Sequence, residues 1–507
     1  MDSFCEPPST SRVQAFPPQG NPPPACSPPQ IQAFHKRSHH GSPTPSSVVR
    51  RDLVGGRRGQ GLRDRRRVRR PDARRIVIGP PDPSLSSLGG LVPFNAMLEQ
   101  CGVSEALRSL CAPLKTGPSV VYPMATQVRL LLDLFVVGGT RIFDLEYLAS
   151  DLLFVHLAGG RLCCLDTLYT DVQRFDDQAR ERLAGLLAEQ ALAALRGRLL
   201  TRLHLDIDTS VCPVFGDDIE GAVPGYNPQY HGRNSYHPLL ARIAESETLL
   251  GAQLRPGNTV LGKGDVEQLD RWLTTLSASL GKDPCLVTVR IDKGGDCAAL
   301  FKVIAKHRCR FLVKARMTHD LVAEILAQAR WKTTDYDADG TVLNQIAEID
   351  FVRNEWREQH LEPIRVIAIR SRERQGGKKL DDSELTVQVV FTNDWDSDPE
   401  HLVQEYDERA GIEPLLAELK QAWGMEKVSS RDFGANTALL LLKGLAMNLL
   451  KRMAREQAPT VAHRWRTNGL RRLLILRPAR LIRSGRRVVV RMGGLPVERA
   501  VKRRQRE

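Results

Sequence analysis

The chain changes character at Leu203, and this change constrains the fold more than any other feature of the sequence. Over residues 87–200, apolar side chains recur at the three- and four-residue spacing of amphipathic helices. From Leu203 onward, short apolar runs predict strands at 203–213, 285–291 and 310–315, with helical segments preceding the second and third of these strands. Strands that alternate with helices indicate an α/β domain.

Four segments follow from this pattern. Residues 1–75 are rich in Pro and Arg and have little apolar periodicity, which predicts a disordered basic tail. We expect an all-α N-terminal domain at 76–200 and an α/β domain at 201–450, in which the strand-rich residues 318–384 form an insertion. The basic segment 451–507 follows. The expected fold class is α/β with a β-rich insertion, preceded by an all-α domain.

Charge is distributed unevenly along these segments. The net charge of +14 divides into +10 for residues 1–75, −11 for 76–450 and +15 for 451–507. Cationic ends favour a polyanionic partner such as nucleic acid, whereas surplus carboxylates in the body favour metal or proton chemistry.

Cysteine spacing and apolar runs argue against several other classes of protein. The ten cysteines include no Cys-x-x-Cys pair, so neither a zinc ribbon nor a thioredoxin-like site is supported. The longest apolar runs, 130–137 and 438–442, are too short to cross a bilayer, and no secretory signal is visible. We expect a cytoplasmic protein with reduced thiols and no membrane partner.

Acidic residues stand at the ends of two predicted strands. Asp206 and Asp208 belong to one strand, and they share one of its faces because side chains alternate along a strand. Asp292 directly follows the second run, where the strand meets a loop. Either acid of the first strand could combine with Asp292 in one site.

A third acid lies in the long helical stretch predicted at 399–423. Four polar residues there, separated by three, four and seven positions, share one face of an uninterrupted helix: Tyr406, Arg409, Glu413 and Lys420. A solvated helix face is the simpler explanation of any single pair. Four distinct groups that coincide with two strand-end acids are less easily accidental.

These residues suggest phosphoryl-transfer chemistry. Three carboxylates that converge from two strands and a helix can hold two Mg²⁺ ions about 4 Å apart, and Mg²⁺ prefers oxygen ligands. Arg409 and Lys420 beside Glu413 would bind phosphates. Pro414 disfavours helical geometry at Glu413, so we expect a kink there.

The spacing from Tyr406 to Lys420 resembles the Tyr-Arg-Glu-Lys signature of bacterial insertion-sequence DDE transposases. Further blocks, in the expected order, resemble the insertion sequence 1380 family within that group, and the resemblance covers about residues 85–495. These blocks are Leu205–Thr209, Gly225–Asn227, Gly232–Leu240, Leu254–Asn258, Thr392-Asn393 and Arg471–Met492.

The resemblance implies an RNase H-like core that carries Asp208, Asp292 and Glu413 as catalytic metal ligands for two Mg²⁺ ions, with Mn²⁺ as an alternative. It favours Asp208 as the first ligand because the family places a hydroxyl residue directly after it, and Asp206 is the fallback. It also implies that Tyr406, Arg409 and Lys420 bind DNA phosphates.

Two further positions have competing interpretations. Arg233 is a candidate DNA contact, although its block could equally be a turn packed by Tyr236. Asp292 and Asp296 match the spacing of an acidic pair at the second position, but family members commonly have an aromatic residue where Gly295 stands.

The sequence therefore predicts a DNA transposase that binds double-stranded DNA at terminal inverted repeats, cleaves it with Mg²⁺ and joins the 3′-hydroxyl to target DNA. The family implies a homodimer in the bacterial cytoplasm, associated with the nucleoid. Its N-terminal helices would read the end sequence, and its basic C-terminal segment would hold DNA or a partner subunit. The alternatives are an RNase H-like nuclease without strand transfer and a non-catalytic DNA-binding descendant.

Overall fold

The computed structural model describes residues 77–493, except 217, 228, 281–284, 329, 373–376 and 381–384. The predicted tail at 1–75 lies outside the described residues, as do the last residues of the basic C-terminal segment and parts of the predicted insertion.

The first described region is helical, as its apolar periodicity predicts. Its helices are α1 (Leu91–Gln100), α2 (Val103–Cys111), α3 (Met124–Val137), α4 (Leu152–Leu157), α5 (Leu165–Val172) and α6 (Asp177–Ala193), with a 3₁₀ helix at Ile142–Leu148. Asp151 and Asp176 cap α4 and α6, because their carboxylates accept hydrogen bonds from first-turn backbone amides.

The strands begin with a short one before these helices and then dominate the second half of the chain. They are β1 (Leu85–Ser86), β2 (Arg202–Thr209), β3 (Cys212–Pro213), β4 (Val223–Pro224), β5 (Asn234–Tyr236), β6 (Leu239–Ile243), β7 (Thr248–Gln253), β8 (Leu286–Ile291), β9 (Arg310–Lys314), β10 (Lys332–Tyr336), β11 (Val342–Glu348), β12 (Arg365–Ser371), β13 (Lys378–Lys379), β14 (Thr386–Thr392), β15 (Ala479–Ser484) and β16 (Arg487–Met492).

The remaining helices lie between these strands or follow them. They are α7 (Val266–Leu280), α8 (Ala298–Lys306), α9 (His319–Ala327), α10 (Asn354–Glu358), α11 (Pro399–Asp407), α12 (Ile412–Gln421), α13 (Phe433–Gln457), α14 (Pro459–Ala462) and α15 (Thr467–Leu470). Single turns of 3₁₀ helix occur at Lys263–Asp265, Lys293–Gly295 and Glu408–Gly411, and a π turn occurs at Arg471–Ile475.

One ten-stranded mixed sheet forms the centre of the α/β region. Its order is β10-β11-β12-β14-β9-β8-β2-β6-β7, and β13 pairs with β14. The neighbours β2, β8 and β9 are parallel, whereas β6 and β7 are antiparallel additions beside β2. Helices α7 and α8 precede and follow β8, so the alternating part of the sequence folds as predicted.

The predicted insertion contains strands, and these extend the same sheet. β10, β11 and β12 pair antiparallel in succession and connect through β14 to β9. β10, β11 and β12 lie within the predicted strand-rich insertion at 318–384, and β14 follows it directly. The charged residues of this region therefore belong to one end of the central sheet.

The two faces of β2 differ in polarity, and this difference positions the candidate site. Leu203, Leu205 and Ile207 are buried in an apolar cluster with residues of α7 and α8. The alternate residues, His204, Asp206 and Asp208, point to the other face. The carboxyl ends of β2 and β8 lie side by side because the two strands are parallel.

Helix α13 joins the N-terminal helices to the sheet. It packs against α3, α6 and β7, and one hydrophobic cluster contains residues from all four elements. The helices predicted before residue 200 are thus present, but their apolar side chains share a core with α13. A separate all-α domain stays a prediction.

Helix α13 is also long and apolar enough to cross a membrane, because it extends well past the short apolar run noted at 438–442. In its most apolar 18-residue stretch, 83% of the residues are buried inside the protein. Such burial is typical of the central helix of a packed core. Near the end of the chain, β15 and β16 form a hairpin that pairs with β1.

Candidate active site

Asp206 is held in the interior of the polar sheet face by two arginines. It lies directly opposite Arg242 of β6 and Arg290 of β8 in the sheet register. Arg242 Nη1 donates to Asp206 Oδ2 at 2.7 Å, and Arg290 Nε donates to Oδ1 at 2.6 Å. Asp206 is fully buried, and both of its oxygens already accept hydrogen bonds. As the fallback metal ligand, it is therefore less available to a metal ion than Asp208.

Asp208 lies two residues further along, where β2 ends, and its surroundings are different. Arg409 Nη2 is 2.9 Å from Asp208 Oδ2, and the Thr209 amide donates to Oδ1 at 2.8 Å. Burial raises the pKa of Asp208 to about 6; Arg409 opposes this shift, whereas the charges of Asp292 and Glu413 add to it. Asp292 and Glu413 therefore each lie near enough to Asp208 to repel its charge.

Asp292 stands at the corresponding end of β8. Its carboxylate caps the following 3₁₀ turn by accepting a hydrogen bond from the Gly294 amide at 2.8 Å. A Cβ atom at Gly295 would lie 2.3 Å from Ile291 Cγ2, so the turn leaves no room for the aromatic residue common in the resembling family. The glycine lets the backbone turn closely over the end of the strand.

Asp296, the second acid of the possible pair with Asp292, is bound by neighbouring loop residues. It is buried, it pairs with Arg353, and its Oδ2 accepts a hydrogen bond from the Arg316 amide at 2.6 Å. Both oxygens are therefore used in holding the loops together.

The helical stretch that carries Glu413 is interrupted, but at a different position from the kink expected at Glu413. Helix α11 ends at Asp407, a 3₁₀ turn spans Glu408–Gly411, and α12 starts at Ile412. Pro414 is thus the third residue of a new helix, where a missing N–H removes no helical hydrogen bond. The break lies before Glu413, and not at Pro414 as predicted.

Tyr406 and Arg409 both lie at the end of α11 but have different environments. Tyr406 is buried against Leu312, Leu402 and Val390, and burial raises its pKa to about 12, so its hydroxyl keeps its proton. The Arg409 side chain is only 11% exposed, and its Nε has no hydrogen-bond partner among the described residues. This unused donor can bind an anion oxygen.

Lys420 and Arg233, the other predicted phosphate ligands, contact other groups. Lys420 Nζ donates to the Val211 carbonyl at 3.0 Å, just beyond β2, and pairs with Glu426 at 2.8 Å. The Arg233 guanidinium lies 4.5 Å from the ring centroid of Phe215. In this conformation neither cation pairs with a predicted metal ligand.

A network of buried charges beneath the acids is absent from the sequence predictions. The other members of this network lie beside Asp206 on the polar face of the sheet and contact α11. His204 bonds Glu245 at 2.6 Å and Glu405 at 2.9 Å, and Glu405 accepts from Arg310 at 2.6 Å. Arginines in the middle of otherwise apolar strands are the sequence signal that could have identified it.

The donor chemistry fits a hard divalent cation, although the acids are spread apart. Carboxylate oxygens are the ligands that Mg²⁺ prefers. Within residues 77–493, outside the gaps, no three His, Cys, Asp or Glu side chains are grouped closely enough to hold a metal ion. The guanidinium of Arg409 instead neutralises Asp208, where a cation would otherwise do so.

Comparison with known proteins adds two findings. The family model described as transposase DDE domain group 1 matches residues 71–504. Among solved structures, the chain resembles a piggyBac transposase in a synaptic complex with hairpin DNA; the sequences are 12% identical, the match covers 76% of this chain and 79% of that one, and the TM-score is 0.41. A search of curated proteins finds no match.

Proposed function

Because the chain belongs to the DDE transposase family, domain group 1, we propose that it cleaves DNA and transfers the cut strand with Asp208, Asp292 and Glu413 as its catalytic carboxylates. One observation supports the assignment above others. The negative charges of Asp292 and Glu413 act on Asp208 at the shared ends of β2 and β8, beside a buried arginine. Phosphoryl transfer requires this combination of oxygen ligands and a cation.

The strand arrangement supports an RNase H-like core as part of the proposal. Beside β2, the antiparallel strands β6 and β7 lie on one side and the parallel strands β8 and β9 on the other. In such a core the first and second acids come from neighbouring strands, and the third comes from a later helix.

In the proposed mechanism Asp208, Asp292 and Glu413 hold two divalent cations, Mg²⁺ or Mn²⁺. When bound, these ions would activate water or a 3′-hydroxyl and stabilise the leaving oxygen. Arg409 exchanges its partner: it leaves Asp208 and binds a DNA phosphate through Nη2 and the free Nε. Buried Tyr406 packs the end of α11 and keeps the arginine above the acids.

The finer assignments belong to the same proposal. They are membership of the bacterial insertion sequence 1380 family, the Tyr-Arg-Glu-Lys signature with Lys420, a DNA contact by Arg233, and a homodimer in the nucleoid-associated cytoplasm. The DNA partners are the terminal inverted repeats, read by α1–α6, and the target duplex.

The test begins with DNA. Short inverted repeats next to the gene, bordered by a direct duplication, define the end sequence. Purified full-length protein, labelled end DNA and Mg²⁺ should yield nicked product and then strand-transfer product. Glu413→Gln should abolish both, whereas Glu408→Gln, which changes an exposed carboxylate in the preceding turn, should leave them unchanged.

The products separate the alternatives. Cleavage without joined product indicates an RNase H-like nuclease, and end binding without cleavage in Mg²⁺ or Mn²⁺ indicates a non-catalytic DNA-binding descendant. Undiminished strand transfer by the Glu413→Gln variant would show that the site assignment is wrong.

A further inference from the structure

A large charged cleft lies beside the helix that carries Glu413. Its volume is about 720 Å³. Pro414 and Glu418 of α12 form one wall, the end of α13 forms another, and residues 462–466 close the third side. The cleft therefore opens next to the proposed catalytic carboxylate, on a part of α12 to which the mechanism above assigns no role.

Cationic side chains outnumber acidic ones in this cleft. Three glutamates line it, against six cationic residues: Arg198, Arg242, Lys451, Arg455, Arg464 and Arg466. The arginines come from four separate stretches of the chain, so folding brings like charges together. Such an arrangement is unfavourable unless an anion compensates it.

Two of these arginines are less directly compensated than Lys451, although the charges of Glu456 and Glu247 partly offset that of Arg455. Lys451 Nζ bonds the Glu247 carbonyl at 2.8 Å and lies 3.7 Å from Glu418. In contrast, the side chains of Arg455 and Arg466 make no hydrogen bond or ion pair with other described residues. Burial, and then the charges of Arg198 and Arg452, lower the pKa of Arg455.

The cleft is also built rigidly onto α12. Glu418 Oε1 accepts a hydrogen bond from the Thr467 amide at 3.0 Å, and Trp423 Nε1 donates to the Thr467 hydroxyl at 3.1 Å. These bonds fix the preceding residues, including Trp465, which is 43% exposed and lines the cleft. An apolar ring beside free guanidinium groups suits a sugar-phosphate chain better than an isolated small anion.

We propose that this cleft binds the sugar-phosphate backbone of DNA, with Arg455 and Arg466 on phosphates and Trp465 against the sugars. The inference rests on the proposed function, because it supplies that site with a second anchoring point for its substrate. A strand held there runs along α12 toward Glu413.

The test measures duplex binding by the full-length protein. Fluorescence anisotropy of a short labelled duplex is followed over a salt series for the wild type, Arg455→Ala, Arg466→Ala and the double variant. Each single variant should bind more weakly and lower the slope of log affinity against log salt by about 1, and the double variant by about 2. Arg466 is exposed, so its substitution leaves core packing unchanged.

Arg452→Ala is the matched control. Arg452 lies one turn before Arg455 on α13, does not line the cleft, and is already bound to Glu456 at 2.9 Å and Gln190 at 3.0 Å. Its substitution should leave the salt slope at the wild-type value.

Three results would overturn the assignment, and they differ in what else they affect. If the wild type binds DNA and the double variant matches Arg452→Ala, the cleft assignment fails and the proposed function stands. If the wild type binds no DNA, both fail. If inorganic phosphate raises the melting temperature of the wild type but not of the double variant, while their DNA affinities are equal, the cleft is a site for free phosphate.

Discussion

Asp206 and Asp208 are two residues apart on one strand and point to the same face, yet the protein treats them differently. Asp206 is fully buried between two arginines that lie opposite it in the sheet. Asp208 stands at the strand end with one arginine and two further acids nearby. One carboxylate is compensated by its neighbours, whereas the other is left with excess negative charge.

The comparison distinguishes the structural charge of Asp206 from the charge of Asp208, which is proposed to be catalytic. In the sheet interior, each carboxylate oxygen of Asp206 has an arginine donor, and leaving a buried charge unpaired would be costly. At the edge, burial and like charges raise the pKa of Asp208, which is the environment that a bound cation would relieve.

Asp208→Asn is the strongest test of the catalytic role proposed for Asp208. The amide keeps the shape and can still accept from Arg409, but it removes the charge needed to hold a divalent cation. We expect strand cleavage to fall by about a thousandfold or more, as when several kcal/mol of transition-state stabilisation are lost. The free energy of unfolding should change by less than about 1 kcal/mol. Near-normal cleavage would place the metal elsewhere.

The same substitution at Asp206 tests the structural role of that residue. Asp206→Asn removes the carboxylate paired with buried Arg242 and the closer of the two carboxylates paired with Arg290, so we expect a loss of about 3–5 kcal/mol in the free energy of unfolding. Urea denaturation followed by tryptophan fluorescence measures it. A variant as stable as the wild type would show that the buried pair is dispensable and would remove the contrast.

The pH dependence of stability sharpens the comparison, because His204 belongs to the structural network. Burial opposes protonation, but hydrogen bonds to Glu245 and Glu405 prevail and raise the pKa of His204 to about 9, from 6.5. The contribution of protonated His204 to the free energy of unfolding is therefore complete below pH 6.5 and is lost as the pH rises through about 9.

Denaturation of the wild type and His204→Gln should show this. The difference in their free energies of unfolding, on the order of 1–3 kcal/mol at pH 6, should shrink above pH 9. A difference that is constant with pH would mean that folding leaves the pKa of His204 at its ordinary value of 6.5.

The smallest effect is expected at Pro414, next to the functional Glu413. Pro414 occupies the first turn of α12, so Pro414→Ala neither gains nor loses a helical hydrogen bond. We expect a change of about 0.5 kcal/mol or less in stability, through the unfolded chain, and unchanged cleavage. A large loss of cleavage would show that the proline itself positions Glu413.

The sequence predicted the elements that depend on local pattern. The alternating residues of β2, the acid at the end of β8 and the helix that begins at Pro399 all follow from spacing and composition. The resemblance also predicted a DDE transposase, which the family match over residues 71–504 confirms, whereas the insertion sequence 1380 family and the four-residue signature stay predictions.

Features that depend on distant pairing were missed. The opposition of Asp206 to Arg242 and Arg290 depends on strand register, which the sequence does not show. The kink was expected at Glu413 because of Pro414, whereas the structure has a 3₁₀ turn at Glu408–Gly411, so the single helix face that placed Lys420 with the acids is not formed. In the structure Lys420 bonds the Val211 carbonyl instead.

The shared core of α13 and the N-terminal helices has a consequence for synthesis. Arg471 donates a hydrogen bond to the carbonyl of Phe135, 336 positions earlier, and α13 covers the apolar side of α6. On the ribosome, the early helices emerge long before the segments that bury them. Their apolar faces must wait until α13 and Arg471 have been synthesised, so the native core cannot form as each early helix emerges.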